Sequence, residues 1–430
     1  MNIVIMIVGT RGDVHPFFGL GHLLQQDGHR VRIATHVEFE KEVKAEGFEF
    51  YPLGGDPRRL SAFMVETSGR LLPNLMNQSE RAGLPEKMNM LNEIIQSTWP
   101  ACTAPEPSDP KQTPFIADAI ISNPVTYAHI HCAEALSVPL HLFFPQPWTP
   151  THEFPHPFAS MSYERGCTRA ADLDASSART RARIAASRDL LECAENWYSY
   201  HMVDYLFHMG VSGYINDLRV NQMGLDPIRR GEHGFNLINN NHVPFVKMWS
   251  PNLVPKPKDW GPHIDVTGAF FTPPSKKAAA WEPPQDLVDF LAAGEPPIFV
   301  GFGSMVIDDV DSLLTAFLKA VEASGARMVL QSQWTAMIDA RRHEAPPSVY
   351  PIGPAPHEWL LPRMGAVVHH GGAGTVAAGL RAGKPTLICP FFGDQFFWGQ
   401  YVYERGVGPK PIPIRKVDAE NLTVAFQELR

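Results

Sequence analysis

The stretch AVVHHGGAGTVAAGLRAGKPTLICPFFGDQFFW, residues 366–398, carries a short apolar run, a glycine turn, a helical segment, a second apolar run and an acidic loop in that order. Ala366, Val367 and Val368 predict a buried strand, and Gly371, Gly372 and Gly374 permit a tight turn around Ala373. Residues 375–382 then read as a helix that Gly383 ends. Residues 386–389 give a second strand, which places Asp394 and Gln395 on the loop that follows it. Unpaired amides at a helix start attract anions, and in open α/β sheets ligands gather at the carboxyl ends of the strands. A GGxG by itself means only a turn in a parallel sheet. Here His369 and His370 precede the glycines, and Asp394 with Gln395 follows the next strand. Carboxylate and amide together can bracket vicinal hydroxyls, so the pattern suits a diphosphate carrying a hydroxyl-rich group.

Outward from this stretch the chain keeps the same alternation. Residues 3–8 predict a first strand and 9–15 a loop. Pro16 sits where a helix begins, with Phe17, Leu20, Leu23 and Leu24 at helical spacing. Residues 29–35 and 48–53 return as strands around a second helical segment, giving a βαβαβ opening. No GxGxxG follows the first strand, which disfavours a dinucleotide cofactor. Strands are also expected at 115–122, 139–144, 297–302, 328–331 and 349–352, with 179–209 largely helical. The proline-rich stretch 249–284 reads as a connection between domains.

With 430 residues, 44% hydrophobic and 19% charged, the chain is long enough for two or three domains. A net charge of −8 argues against a nucleic-acid partner. Five scattered cysteines without a CxxC pair indicate neither a disulfide framework nor a zinc site, and fit a reducing cytosol. The apolar start meets Arg11 and Asp13 too soon for a signal peptide or membrane span, so membrane association is expected to be peripheral at most.

The 366–398 stretch resembles the donor-binding motif of the UDP-sugar glycosyltransferases, in particular the sterol glucosyltransferase branch and its bacterial antibiotic-glycosylating relatives. TRGDVHP at 10–16, PWTPTHEFPHP at 147–157, LVPKPKDWGPHIDVTG at 253–268, FGSM at 302–305 and PHEWLLP at 356–362 fit the same branch. The resemblance implies the GT-B fold, an α/β arrangement of two Rossmann-like domains facing across a cleft. The acceptor domain is expected at 1–248, the connection at 249–294 and the nucleotide-sugar domain at 295–430. It further implies inverting transfer of a hexose, glucose first, from a UDP-sugar to a lipophilic alcohol such as a sterol or terpenoid. The UDP-sugar is then a co-substrate, and no cofactor or metal is called for.

Such a transfer needs a base for the acceptor proton and stabilisation of the departing diphosphate. Asp13 stands where the sterol branch carries its aspartate, on a loop with Arg11 and Gly12. His15 is its nearest partner and the second choice for base. Plant relatives pair a histidine there with an aspartate, whose counterpart here is Asn123, so their dyad is absent. Read alone, Asp13 would simply cap the helix that begins at Pro16. The diphosphate falls to the amides of residues 371–375, with His370, Thr375 and Ser304. Asp394 and Gln395 fall on the sugar hydroxyls, and His357 on the nucleoside. His369 reads as a local packing or capping residue. Trp148, Phe154 and His156, with the aromatic run 195–209, offer a lining for the acceptor, although aromatics at helical spacing also build ordinary cores.

Asp172 and Asp174 have DxD spacing but lie in an alanine- and arginine-rich stretch that reads as solvated surface, and His369 with His370 lacks a third ligand for zinc. Family members usually continue past the helix expected near Asp418, with a last helix crossing back onto the N-terminal domain. A chain ending at Arg430 would lack that brace, which gives weight to a rival expectation: an inactive nucleotide-sugar- or lipid-binding protein.

Overall fold

The computed structural model describes residues 1–67, 77–159, 178–229, 232, 234–271, 281–303, 305, 307, 309–331 and 346–430. The chain divides into two compact units, one of Met1–Pro251 with Pro255–Thr272 and one of Asn252–Val254 with Pro273–Arg430.

The first unit is built on a seven-stranded sheet ordered β3-β2-β1-β4-β5-β6-β7. Its strands are β1 Asn2–Met6, β2 Arg30–His36, β3 Glu49–Leu53, β4 Ala119–Ser122, β5 Leu140–Phe144, β6 Phe245–Lys247 and β7 Ile264–Val266. All pair in parallel. Helices cover both faces of a parallel sheet, so its strands read as continuous apolar runs rather than alternating ones. In β1 only Asn2 keeps appreciable exposure. Ile3, Ile5 and Ile7 pack with Phe17, Phe18, Val31 and Ile33. The strands β6 and β7 were not legible in sequence, and β7 lies inside the stretch read as a connection. Three residues each, they acquire their conformation from pairing with β5 and with each other.

The second unit holds five parallel strands ordered β10-β9-β8-β11-β12. These are β8 Ile298–Gly301, β9 Met328–Gln331, β10 Val349–Ile352, β11 Ala366–His369 and β12 Thr386–Ile388. Alternate residues serve opposite faces, as the period of a strand requires. Val300, Leu330 and Val368 pack with Phe317 and Phe426. Phe299, Val329 and Val367 pack on the other side with Leu287 and Leu360. The chain runs outward from β8 to β10, then returns to place β11 on the opposite flank of β8. The order therefore reverses between β8 and β11, where such sheets open a crevice at their carboxyl edge.

Candidate active site

In the second unit the glycine turn lies at that reversal. β11 ends at His369, and the helix Ala373–Arg381 starts with Gly372 as its N-cap. The helix begins two residues earlier than the sequence suggested, so Gly374 and Thr375 belong to its first turn. Thr375 N already donates to Gly372 O at 3.0 Å. The amides that precede it are the ones whose position leaves them without an intrahelical acceptor.

Two details fix the turn. Gly371 N donates to His369 Nδ1 at 2.9 Å, so His369 carries its proton on Nε2 and acts as a brace within the protein. Gly371 has φ +97°, and a Cβ there would stand 2.7 Å from Ile388 Cγ2 and 3.1 Å from Gln395 O. The neighbouring His370 ring lies against the bare faces of two other glycines, 2.6 Å from a Cβ built on Gly372 and 3.7 Å from one on Gly303. It thus sits between the turns that follow β11 and β8. Burial holds the His370 pKa down to about 4, so the ring is neutral at neutral pH, and its buried Nδ1 has no hydrogen-bond partner among the described residues. Ser304 lies outside the described residues.

Asp394 and Gln395 are not on a loop, as the sequence suggested, but are the first two residues of the helix Asp394–Glu404. Gly393 allows this by taking φ +62° immediately before it. Gln395 is buried, and its Oε1 accepts from Phe391 N at 2.7 Å and Phe392 N at 3.3 Å. Asp394 Oδ2 accepts from Trp398 Nε1 at 2.9 Å, which aims the carboxylate from one turn below. At the far side, His357 opens the short helix His357–Leu360, with Nε2 3.4 Å from Gln331 Oε1 at the end of β9. Burial lowers its pKa too.

In the first unit Asp13 follows β1, but residues 11–14 form one helical turn instead of the expected loop. Asp13 caps that turn, not the helix at Pro16: its Oδ2 accepts from Thr10 N at 2.8 Å and Thr10 Oγ1 at 3.2 Å. The carboxylate lies across Gly9, where an added Cβ would fall 2.3 Å from Oδ2. Gly9 has φ +143° and its N–H donates to His36 Nε2 at 3.2 Å, while His36 Nδ1 faces Gly55 O at 3.0 Å. His36 therefore braces the Asp13 turn from the end of β2, a role its sequence did not announce. Although the Asp13 side chain keeps some exposure, desolvation raises its pKa above the ordinary value, against the Thr10 hydrogen bonds that lower it.

His15 does not turn to Asp13. Its Nε2 stands 2.9 Å from both Arg11 Nε and Glu42 Oε1, so Glu42 in the helix Glu40–Ala45 draws the ring away. Gly12 is exposed on the turn. Asn123, in place of the plant aspartate, ties β4 to β1 by donating from Nδ2 to Val8 O at 2.7 Å.

A cavity of about 110 Å³ opens beside β5 and β6 in this unit, with Tyr127, Trp148, Asp204, Phe207 and His208 among its lining. Of the three residues read as acceptor contacts, only Trp148 reaches it. Phe154 is buried edge-on to Trp260 at 6.1 Å. His156 is buried behind Trp148, 4.5 Å between ring centroids, and burial, reinforced by Lys247, takes its pKa to about 3. The helix Ala178–Leu218 splits its aromatics: Phe207 lines the cavity, Tyr200 is buried in the core, and Tyr198 and Tyr205 are exposed. Asp172 and Asp174 lie outside the described residues.

Two parallel Rossmann-like units, with a glycine turn at the switch point of the second, are the arrangement of the GT-B fold. The model of the glycosyltransferase family 28 N-terminal domain matches residues 3–155, and that of the erythromycin biosynthesis protein CIII-like C-terminal domain matches residues 318–429. A sterol 3-beta-glucosyltransferase of Arabidopsis thaliana is 42% identical over 429 residues, 99% of this chain and 62% of the relative. One of Leptosphaeria maculans is 35% identical over 438 residues, 100% of this chain and 26% of the relative. Over nearly its whole length the chain is similar to sterol 3-beta-glucosyltransferases, and its two ends match models of glycosyltransferase-type domains. It spans about three fifths of the length of the plant relative and a quarter of the fungal one.

Among solved structures, the glycosyltransferase of kitacinnamycin superposes with a TM-score of 0.60 at 19% identity, over 100% of this chain and 90% of the other. The calicheamicin glycosyltransferase gives 0.58 at 17%, over 100% and 89%. Both share the fold. Among the described residues no helix is long and apolar enough to cross a membrane.

Proposed function

We propose that this chain is an inverting glycosyltransferase that moves glucose from UDP-glucose to the hydroxyl of a sterol or a similarly shaped lipophilic alcohol. The observation that carries this reading is the pair of prepared carboxylates, one in each unit. Asp13 is desolvated and aimed by Thr10, and Asp394 is aimed by Trp398 beside a glycine turn. The relatives named sterol 3-beta-glucosyltransferase supply the substrate class.

In the proposed reaction Asp13 accepts the proton of the acceptor hydroxyl, and its oxygen attacks the anomeric carbon from the face opposite the leaving UDP. The amides at the start of the helix Ala373–Arg381, with neutral His370, stabilise the charge gathering on the diphosphate. Asp394 holds glucose hydroxyls directly. Gln395 acts by fixing Phe391 and Phe392, and His357 with Gln331 faces the nucleoside. Sugar transfer of this kind calls for no redox cofactor, and the proposal places no metal. Purified protein incubated with UDP-glucose and a panel of sterols should yield a hexose adduct by mass spectrometry. UDP-glucose that binds without any hexose product across the panel would instead support a binding protein.

Two expectations sharpen the assignment. Asp13 serves as base only when ionised, so kcat/KM should fall as pH drops through an apparent pKa above the ordinary ~3.9 of aspartate. The stability sign is opposite: a carboxyl whose pKa is raised by folding stabilises below its unfolded pKa, and that contribution is lost as pH rises through the folded value. A rate profile flat down to pH 4 would remove Asp13 from the proton transfer. Asp394→Ala should raise KM for UDP-glucose roughly tenfold or more while leaving inhibition by UDP unchanged, because the carboxylate addresses the sugar alone. Equal weakening of UDP would move its role to the nucleotide.

A further inference from the structure

Asp204 is the one acidic residue lining the cavity of the first unit, and among the described residues no hydrogen bond or ion pair reaches its carboxyl. It belongs to a stripe of the helix Ala178–Leu218 formed by Asp204, Phe207, His208, Val211 and Ile215, spaced three, four, seven and eleven residues along one face. A carboxyl set beside Phe207, Val211 and Ile215 loses part of its hydration, a cost that a polar group of a ligand in the cavity would offset.

Two of the other polar walls are already engaged within the chain, and His208 stands one helical turn from Asp204 on the same face. His131 Nδ1 is held by Arg219 at 2.9 Å, and Arg219 is held in turn by Glu134. His129 Nδ1 faces Ser122 Oγ at 3.3 Å. Tyr127 lies tilted against Phe207, 5.6 Å between ring centroids, on a backbone with φ +62° and ψ −46°, which a tyrosine adopts only under constraint from its surroundings. Strain of this kind gathers at ligand sites.

We propose that Asp204 is the polar anchor for a second, neutral oxygen of the acceptor, a hydroxyl at the end of the molecule remote from the one that receives the sugar. The inference rests on the transferase reading and narrows its substrate class to lipophilic alcohols oxygenated at both ends. A volume of about 110 Å³ is well below the 300–1,000 Å³ of a pocket that encloses a drug-sized ligand. It admits one end of a sterol, not the ring system. Asp204 keeps some exposure, and desolvation in the cavity lifts its pKa to about 8, which favours the neutral acid that can donate to an oxygen. Aromatic walls from Trp148 and Phe207 suit the hydrocarbon next to that oxygen.

The test is tryptophan-fluorescence binding of cholesterol, 25-hydroxycholesterol and a side-chain amine analogue, without donor, followed by transfer rates with UDP-glucose. Wild type should bind 25-hydroxycholesterol roughly threefold to tenfold more tightly than cholesterol, the worth of one hydrogen bond. Asp204→Leu should abolish that ratio while keeping cholesterol binding and raising Tm. Asp204→Asn, which still offers a donor and an acceptor, should keep most of it. Equal binding of the two sterols by wild type, an unchanged ratio in Asp204→Leu, or strongest binding of the amine would each overturn the proposal. Because binding is read without donor, an absence of transfer with every acceptor would count against the transferase reading alone.

Discussion

Asp13→Asn should lower kcat by at least about 10²–10⁴-fold, the contribution of a positioned general base, with UDP-glucose affinity and Tm unchanged. The substitution suits the question because it separates two roles that the structure combines. Asp13 Oδ2 accepts from Thr10 N and Oγ1, and an asparagine oxygen can take both bonds and preserve the turn over Gly9. What asparagine cannot do is accept a proton at neutral pH. Calorimetry with UDP-glucose and thermal melting would check that donor binding and fold survive. Turnover within a few-fold of wild type would leave Asp13 as a cap only, and a fall in Tm with proportionate loss of rate would make its role structural. His36 offers a graded companion. His36→Leu removes the acceptor for Gly9 N and should lower kcat more than it raises KM for the acceptor.

Gly371→Ala should abolish donor binding and lower the stability of the second unit by about 1–3 kcal/mol, the usual cost of a side chain forced into a left-handed backbone. The position has no slack. Its φ is +97°, and a Cβ would meet Ile388 Cγ2 at 2.7 Å and the backbone of Gln395 at 3.1 Å, pressing β12 away from the start of the helix Asp394–Glu404. The same shift would break the hydrogen bond from Gly371 N to His369 Nδ1 and turn the helix-start amides from the diphosphate. Gly374→Ala is the control. No atom lies within 4 Å of a Cβ there, and alanine is favoured over glycine in a helix, so fold and stability should hold. Retained UDP-glucose affinity in Gly371→Ala would show that the turn tolerates the strain and that the amides are not the anion site.

Much of the architecture was legible because parallel strands covered on both faces must be apolar runs, and glycines and prolines mark where they stop. β1, β8, β9, β10 and β11 were placed within a residue or two for that reason. β6 and β7 were missed because three residues carry no periodicity, and β6, on which β7 pairs, finds its own partner β5 about a hundred residues away. The site divides in the same way. His370, Asp394 and Asp13 were singled out through motif and resemblance, and His369 was read as a local packing or capping residue. The surroundings of Asp13 were not. His15 is drawn to Glu42, His36 reaches Gly9 from another strand, and the spacing of 27 residues that both pairs share has no meaning along the chain.

Nothing in the sequence singled out Asp204, an acid among the aromatics of residues 195–209. Trp148, Phe154 and His156 stood together in sequence, yet only Trp148 reaches the cavity. The sequence alone determined which residue types line up on strands, turns and helix starts, because those are set by covalent geometry and by the periods of local structure. The tertiary structure alone decided which side chains are desolvated, which hydrogen bonds aim them and which are left without a partner, because burial and pairing depend on segments far apart in the chain that meet only on folding.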